Sequence, residues 1–277
     1  MELRLERLGK AAFAVIGEDG ATNFGIVRGD DGAGLLIDAD IRRIDEIEEA
    51  LRQAECDRVK FLFITHENFD HASANDYFEK KGAAVIASQG CVDALVDDGD
   101  AKFAEMSARS PELFERFPGL KMRLPQIIFS DSLTVRLPGV TVHFRRYDQS
   151  HSRGDATAYF AEEKIFFAGD LLYTEYHPVT IYGRIDGWIK TLGEMGSLSY
   201  SKIMPGHGPC GGRLEAGRQQ TANFRRYLEE FYRRLEQAKA GQKSAQEIVD
   251  ETYEAYPAFG KRWMVKRNVE HFLSHER

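Results

Sequence analysis

FITHENFDHASAN, residues 63–75, sets His66, Asp70 and His71 within one short loop and puts Asn68 between them. Imidazole and carboxylate bind borderline cations such as zinc, iron and manganese, so this spacing reads as a metal-binding loop. Asn68 stands where a further histidine would complete the set. The residues just before the loop fix its setting. Val59–Ile64 (VKFLFI) is an apolar run of strand length, expected to be buried on both faces, and it empties directly into the loop. Ligand sites in α/β folds commonly lie at the carboxyl end of such a strand.

Working outward, the first forty residues alternate short β-type runs with Gly/Asp turns: Ala12–Gly17, Asn23–Gly29 and Gly34–Asp38. Asp40 then caps a helical stretch with Ile44, Ile47 and Leu51 on one face. After the loop, Ala74–Lys81 reads as a helix and Ala83–Ser88 as a strand. Residues 98–118 are polar with scattered Phe and Met, and read as an irregular, partly helical insertion able to cover a site. Gln126 to Phe167 is a run of strands: QIIFS, LTVRL, TVHFRRY, ATAYF and KIFFAG. Two helical segments close the chain. Phe224, Leu228, Phe231 and Leu235 form the seam of one, and Ser244-Ala-Gln-Glu247 is a capping box opening the other. Two groups of strands, with helices between and after them, predict two sheets packed face to face with helices outside.

Bulk properties narrow the function. The chain has 277 residues, 43% hydrophobic and 29% charged, with a formal net charge of -7. The acidic balance argues against a nucleic-acid binder driven by phosphate contacts, though it leaves room for a local basic groove. Cys56, Cys91 and Cys210 are far apart and form no CxxC, which argues against a disulfide framework or a thiolate zinc knuckle. The N-terminal stretch carries charges throughout, and no run is long enough to span a bilayer. A cytoplasmic setting, a small-molecule substrate, no membrane or nucleic-acid partner and an open oligomeric state are the expectations.

Three further segments carry ligand-type residues beside turns: His151 in Gln149-Ser-His-Ser-Arg-Gly-Asp155, Asp170 in Phe166-Phe-Ala-Gly-Asp170, and His207 in Met204-Pro-Gly-His-Gly-Pro209. Their order after the first loop resembles the metallo-β-lactamase superfamily. That family's motif is His-x-His-x-Asp-His, then a distant His, a Gly-Asp and a Pro-Gly-His-Gly-like loop. The resemblance runs from about residue 10 to 212 and includes Asn23 and Leu35–Asp38. The tail also looks like general hydrolase-like members, which carry a tryptophan segment (here Asp186-Gly-Trp188) and end in helices like Lys266–Glu270.

The resemblance implies a four-layer αββα sandwich over residues 1–212, with C-terminal helices over 213–277 packed on it and sites between the two sheets at one edge. It implies that Asp70, His71 and His207 hold one metal, that His66 and His151 hold another, and that Asp170 bridges them. Asn68 replaces the histidine expected in the second set, and a neutral amide is a poorer zinc ligand. Three states follow: one zinc per chain, two zincs with Asn68 a weak ligand or replaced by water, or iron (manganese being a further option) on His66, His151 and Asp170. The resemblance further implies a zinc hydrolase for an ester, thioester, lactone or related bond, through a metal-bound hydroxide. Asp70 would take a proton, with His66 or His151 as a general base if their site is empty. The alternatives are a mononuclear non-haem iron oxidoreductase like the persulfide dioxygenases, or a degenerate partner subunit. Tyr173, Tyr176 and His177 follow Asp170 closely and are expected to contact substrate, with Arg184 and Trp188 on the next segment. Arg153 and Asp155 are expected to fix the His151 loop. Residues 225–234 read as a solvated helical face, with Arg225 pairing Glu229 and Glu230 pairing Arg234.

Overall fold

A computed structural model describes residue 3, residues 5–210 and residues 214–275. The chain builds one sheet first: β1 (Leu5–Arg7), β2 (Ala12–Val15), β3 (Phe24–Arg28), β4 (Ala33–Ile37), α1 (Ile44–Gln53), β5 (Arg58–Phe63), α2 (Phe69–Ala72), α3 (Asn75–Lys80), β6 (Ala84–Ser88), α4 (Gln89–Arg109), α5 (Pro111–Arg116) and β7 (Ile127–Phe129). These strands lie in sequence order, antiparallel from β1 to β4 and parallel from β4 to β7. The second sheet follows from β8 (Ser132–Leu137), β9 (Val140–Arg146), β10 (Ala156–Phe160), β11 (Ile165–Tyr173), α6 (Ile185–Gly196) and β12 (Lys202–His207), in the order β12-β11-β10-β9-β8. Helices α7 (Leu214–Lys239), α8 (Ala245–Ala255) and α9 (Trp263–His275) complete the chain.

Alternation along the strands divides the apolar residues between two faces. Leu35 and Ile37 of β4 and Phe63 of β5 point into the space between the sheets, where they meet Val142, Phe144, Phe160 and Phe167. The rings of Phe63 and Phe144 meet there with centroids 4.3 Å apart. Leu36 and Leu62 point the other way, onto α1, α3 and α4. Phe166 and Ala168 of β11 likewise face α6 and the C-terminal helices. The result is the expected αββα layering.

Local signals explain the helix starts. Asp40 accepts a hydrogen bond from the Arg42 N–H at the mouth of the helical stretch that runs into α1. Ser244 and Glu247 form both halves of a capping box at α8, and loss of such a cap costs about 1 kcal/mol.

Four expectations need correction. The strand before the metal loop is buried only at Leu62 and Phe63, because the beginning of β5 is partly exposed. Residues 98–118 are regular: α4 is a single helix of 21 residues. Its first half supplies the buried residues, and Phe103 and Met106 in its second half are only partly covered, so no continuous seam marks it. The chain closes with three helices rather than two, and Asn268 of α9 donates to the Pro178 carbonyl. In α7, Arg225 pairs with Glu229 at 2.9 Å in the open, but Arg234 is buried between Glu230 and Glu251, so that face is solvated only in part. The seam of Phe224, Leu228, Phe231 and Leu235 packs with the outer face of the second sheet. The domain boundary expected at 212/213 falls outside the described residues. Among the described residues no helix is long and apolar enough to cross a membrane.

Candidate metal centre

All the ligand-type residues meet at one edge of the sandwich. His66 follows β5, and Asp70 and His71 lie on the single turn of α2. His151 sits in the β9–β10 loop, Asp170 lies within β11, and His207 ends β12. They form two groups, His66 with His151 and Asp170, and Asp70 with His71 and His207, each with ligand atoms within 4.8 Å of one another. Asp170 divides its carboxylate between them. Its Oδ1 lies 3.2 Å from His71 Nε2 and 3.3 Å from His207 Nε2. Its Oδ2 lies 3.4 Å from His151 Nε2 and 3.7 Å from His66 Nε2.

Every imidazole has a polar group behind its Nδ1, as a hydrogen bond at His66, His151 and His207 and as a charged contact without hydrogen-bond alignment at His71. His207 donates to the Gly20 carbonyl at 2.8 Å and His151 to the Val179 carbonyl at 3.2 Å. His71 Nδ1 lies 2.9 Å from Asp38 Oδ2. Thr65 donates its hydroxyl to the same Asp38 carboxylate, which leaves the Thr65 oxygen to accept from His66 Nδ1 at 3.1 Å. Asp38 therefore orients a ligand of each group, one directly and one through Thr65. It does so from a left-handed backbone conformation (φ 61), a kind of local strain that collects at functional sites. With each Nδ1 engaged outward, each Nε2 presents a lone pair inward, the arrangement metal-ligating histidines adopt.

The centre is starved of partners. His66 Nε2, His71 Nε2 and Asp170 Oδ1 are buried without a hydrogen bond, and such atoms cost about 1–3 kcal/mol each. A cation in the His71 group would satisfy His71 Nε2 and Asp170 Oδ1, and one in the His66 group would satisfy His66 Nε2, so the residues present fit a metal. Burial pushes the His66 imidazole well below its ordinary range and His151 down to about 4. Burial opposes ionisation of Asp70 and Asp170 too, but the facing histidines outweigh it and hold both carboxyls well below the usual range. For His71, burial is outweighed by Asp170, Asp38 and Asp70, which raise it well above the ordinary value. The centre thus offers two carboxylates, with His66 and His151 held neutral, and a proton on His71 competes with metal.

Asn68 is the N-terminal boundary of α2, yet its side chain caps nothing there. Its amide nitrogen lies 3.1 Å from His151 Nε2, so the amide faces the group that lacks a third histidine. The loops around it are held tightly. Thr22 donates to Asp70 Oδ2 at 2.5 Å. Asn23 straps the His207 loop, its side-chain amide donating to the carbonyls of Pro205 and Gly208. A Cβ on Gly206 would lie 1.9 Å from Asp170 Oδ1, so only glycine lets that strand pass the bridging carboxylate. Ser152 donates its backbone N–H to Asp155 while its hydroxyl is shared between Asp155 and Glu67, and Arg153 pairs with Asp97 at 2.8 Å, which fastens the His151 loop on either side.

A cavity of about 340 Å³ opens over the centre, with Asn68, Asp70, Asp170 and His207 in its floor and Tyr173, His177, Val179 and Tyr182 in its wall. Tyr173 donates to Asp170 Oδ2 at 2.5 Å, and His177 is bonded to Tyr227 at 2.9 Å. The structure does not bring Tyr176, Arg184 or Trp188 to this cavity. Tyr176 packs against Gly20 and Gly260. Arg184 makes a two-pronged pair with Asp186 on the outer surface. Trp188 is buried, donates to the Leu171 carbonyl and sets its ring edge-on to His151 at 5.1 Å. Sequence reading missed Thr22 and the orienting role of Asp38, whose signal was an acidic residue closing an apolar strand beside the ligand loop.

The geometry agrees with known proteins. A family model described as the metallo-beta-lactamase superfamily matches residues 17–207. No curated protein matches the chain. Among solved structures, a double mutant of the sec-alkyl sulfatase PisA1, an enzyme from Pseudomonas sp., is similar at a TM-score of 0.73 and 15% identity. That match covers 99% of this chain and 50% of the sulfatase, so this chain spans half that enzyme's length. A metallo-beta-lactamase from Pontibacter korlensis is similar at a TM-score of 0.61 and 16% identity, covering 80% of this chain and 100% of that one. The DIM-1 metallo-beta-lactamase gives 0.60 and 15%, covering 80% and 98%. Two sheets with one metal-suited edge and a family match spanning every ligand segment make this chain a member of the metallo-β-lactamase superfamily.

Proposed function

We propose that the chain is a metal-dependent hydrolase, with zinc the metal that best suits its donors, acting on an ester, thioester, lactone or related small-molecule bond. The observation that carries this reading is the split of the Asp170 carboxylate between two groups of inward-facing imidazoles beneath an open cavity. Asp70, His71, His207 and Asp170 Oδ1 would hold one ion, and His66, His151 and Asp170 Oδ2 a second. Bound there, zinc supplies an acidified water and a Lewis acid for the substrate oxygen.

The protein's own groups do the rest. Asp70 is fixed by the Thr22 hydroxyl, retains 29% side-chain exposure and is held ionised. It is placed to orient water in the cavity and accept its proton. Tyr173 holds Asp170 from turning by donating to Oδ2. The Asp70 group has two carboxylates in reach, whereas the His66 group has one shared carboxylate and the Asn68 amide, so we infer a tight first ion and a weak second.

Elemental analysis of the purified chain, before and after dialysis against a mild chelator, tests this together with hydrolysis of 4-nitrophenyl acetate and of thioester and lactone panels. Retention of about one zinc, with activity lost on full chelation and restored by zinc, is the expected outcome. Two ions held equally tightly would overturn the unequal pair. Iron with oxygen uptake, or a zinc-loaded protein silent on every panel, would overturn the hydrolase reading.

A further inference from the structure

The cavity over the centre has a second chemical character. Helix α4 presents Lys102, Met106 and Arg109 to it, at positions four and seven residues on from the first, so they share a helical face. From the other side the C-terminal segment presents Lys261, Met264 and Arg267 at intervals of three. Each wall is thus a methionine between two cations. Glu105 accompanies them and is already paired with Arg109 at 2.6 Å. Among the described residues, Lys102, Lys261 and Arg267 form no salt bridge, and Lys102 acts on the buried Glu67 carboxylate only at longer range. Asp70 and Asp170 do not use this charge either, because the histidines surround them.

The lysines flank opposite ends of the centre. Lys102 lies over the Tyr182 ring at 5.6 Å, and that ring lies 6.4 Å from His151. Lys261 lies against Gly20, where an added Cβ would come within 2.7 Å of its Cε, and Gly20 is the residue whose carbonyl ties His207. A chain with a net charge of -7 has gathered positive charge free of salt bridges on both walls of one concave site, where low-dielectric walls focus the field.

We infer that this cavity selects substrates bearing an anionic group, a carboxylate, sulfonate, sulfate or phosphate, on a short apolar segment. The anion sits by Lys261 and Arg267, with Lys102 adding charge from the opposite wall, and the apolar segment lies between Met106 and Met264, whose soft, unbranched side chains adapt to it. This deepens the hydrolase reading by naming a substrate class, and rests on that reading only for the bond that is cleaved.

Binding is therefore the test, by calorimetry on the zinc-loaded full chain. The probes are hexane-1-sulfonate, a poor metal ligand, and its neutral counterpart N,N-dimethylhexane-1-sulfonamide. The sulfonate is expected to bind about tenfold tighter at low ionic strength, as two weak charge pairs allow, with the preference shrinking as salt is added. Lys261→Asn with Arg267→Gln removes most of that preference while zinc content and circular dichroism stay unchanged, asparagine being tolerated at the positive φ (54) of Lys261. Lys102→Gln, on the opposite wall, reduces the preference independently should the first variant misfold. Equal binding of the two probes by the parent, or a preference undiminished in the variants, overturns the inference. A preference that depends on these cations in a protein that hydrolyses nothing upholds the anion site and removes the hydrolase reading instead.

Discussion

The Asp70–His71–His207 group and the His66–His151 group are equally well built and unequally charged. In both, backbone carbonyls or the Asp38–Thr65 pair engage Nδ1 and aim Nε2 at Asp170. In the first, Asp70 adds a second carboxylate and Asp38 stands directly behind His71. In the second, Asn68 adds a neutral amide. The inequality in metal affinity we propose therefore rests on the difference in charge and not on positioning. The fold holds two seats to the same tolerance and fills them with different electrostatics.

The most severe way to break this comparison is to remove what the two groups share. Asp170→Ala is expected to empty both and to lower hydrolysis by about a thousandfold or more, near 4 kcal/mol in the barrier, with elemental analysis and single-turnover rates as the measurement. A variant that keeps one tight ion would show that Asp170 does not bridge. Next in size, Asp38→Asn weakens the orientation of His71 and His66 together, and a loss of about 10–100-fold in zinc affinity is expected in a competition titration. An unchanged affinity would leave Asp38 a purely structural role. Asn68→His narrows the gap between the groups, raising affinity for the second ion by about tenfold or more. If stoichiometry and affinity stay as they were, Asn68 is not what weakens that group.

The smallest effect concerns pH in the metal-free protein, read as thermal stability of the parent, His151→Gln and His71→Gln. Burial holds His151 down to about 4, so between about 6.5 and 4 the unfolded chain binds more protons, and its contribution to stability is lost as pH falls through that window. His71 is held above its ordinary value by three carboxylates, so its contribution is complete at low pH and is lost as pH rises past its folded value. The two variants should therefore change the pH slope in opposite directions, and slopes of one sign would contradict the assigned charges.

How much could be read in advance depended on whether a residue's role was local. The ligand segments were legible because each sets its ligand types in a short stretch following an apolar run, three of the four beside a Gly or Pro. Asp40 and Ser244 were legible because a cap needs only residues two or three positions away. Helix α4 was not, since the apolar residues of its second half lie outside a continuous core seam and blur the period that core packing imposes. Arg184 and Trp188 lie close in sequence to the site but do not reach its cavity, because Asp186 claims Arg184 and the Leu171 carbonyl holds Trp188 behind His151. The cationic walls were invisible for the opposite reason: Lys102 and Lys261 become neighbours of one cavity only through tertiary packing.

The strap at Asn23 carries a consequence for how the protein is made. Asn23 and Gly208 are 185 residues apart in the chain, and the hydrogen bond between them closes only when the two sheets have docked. Long-range closures of this kind come late in folding, because their loop entropy must be offset by contacts already formed. Asp70 and His207 therefore come within reach of one ion only in chains that have finished folding. On the proposed reading, metal capture then draws the equilibrium toward the native state by mass action. Zinc uptake during refolding should accordingly trail the recovery of helix, with its slowest phase marking the moment at which the sandwich closes.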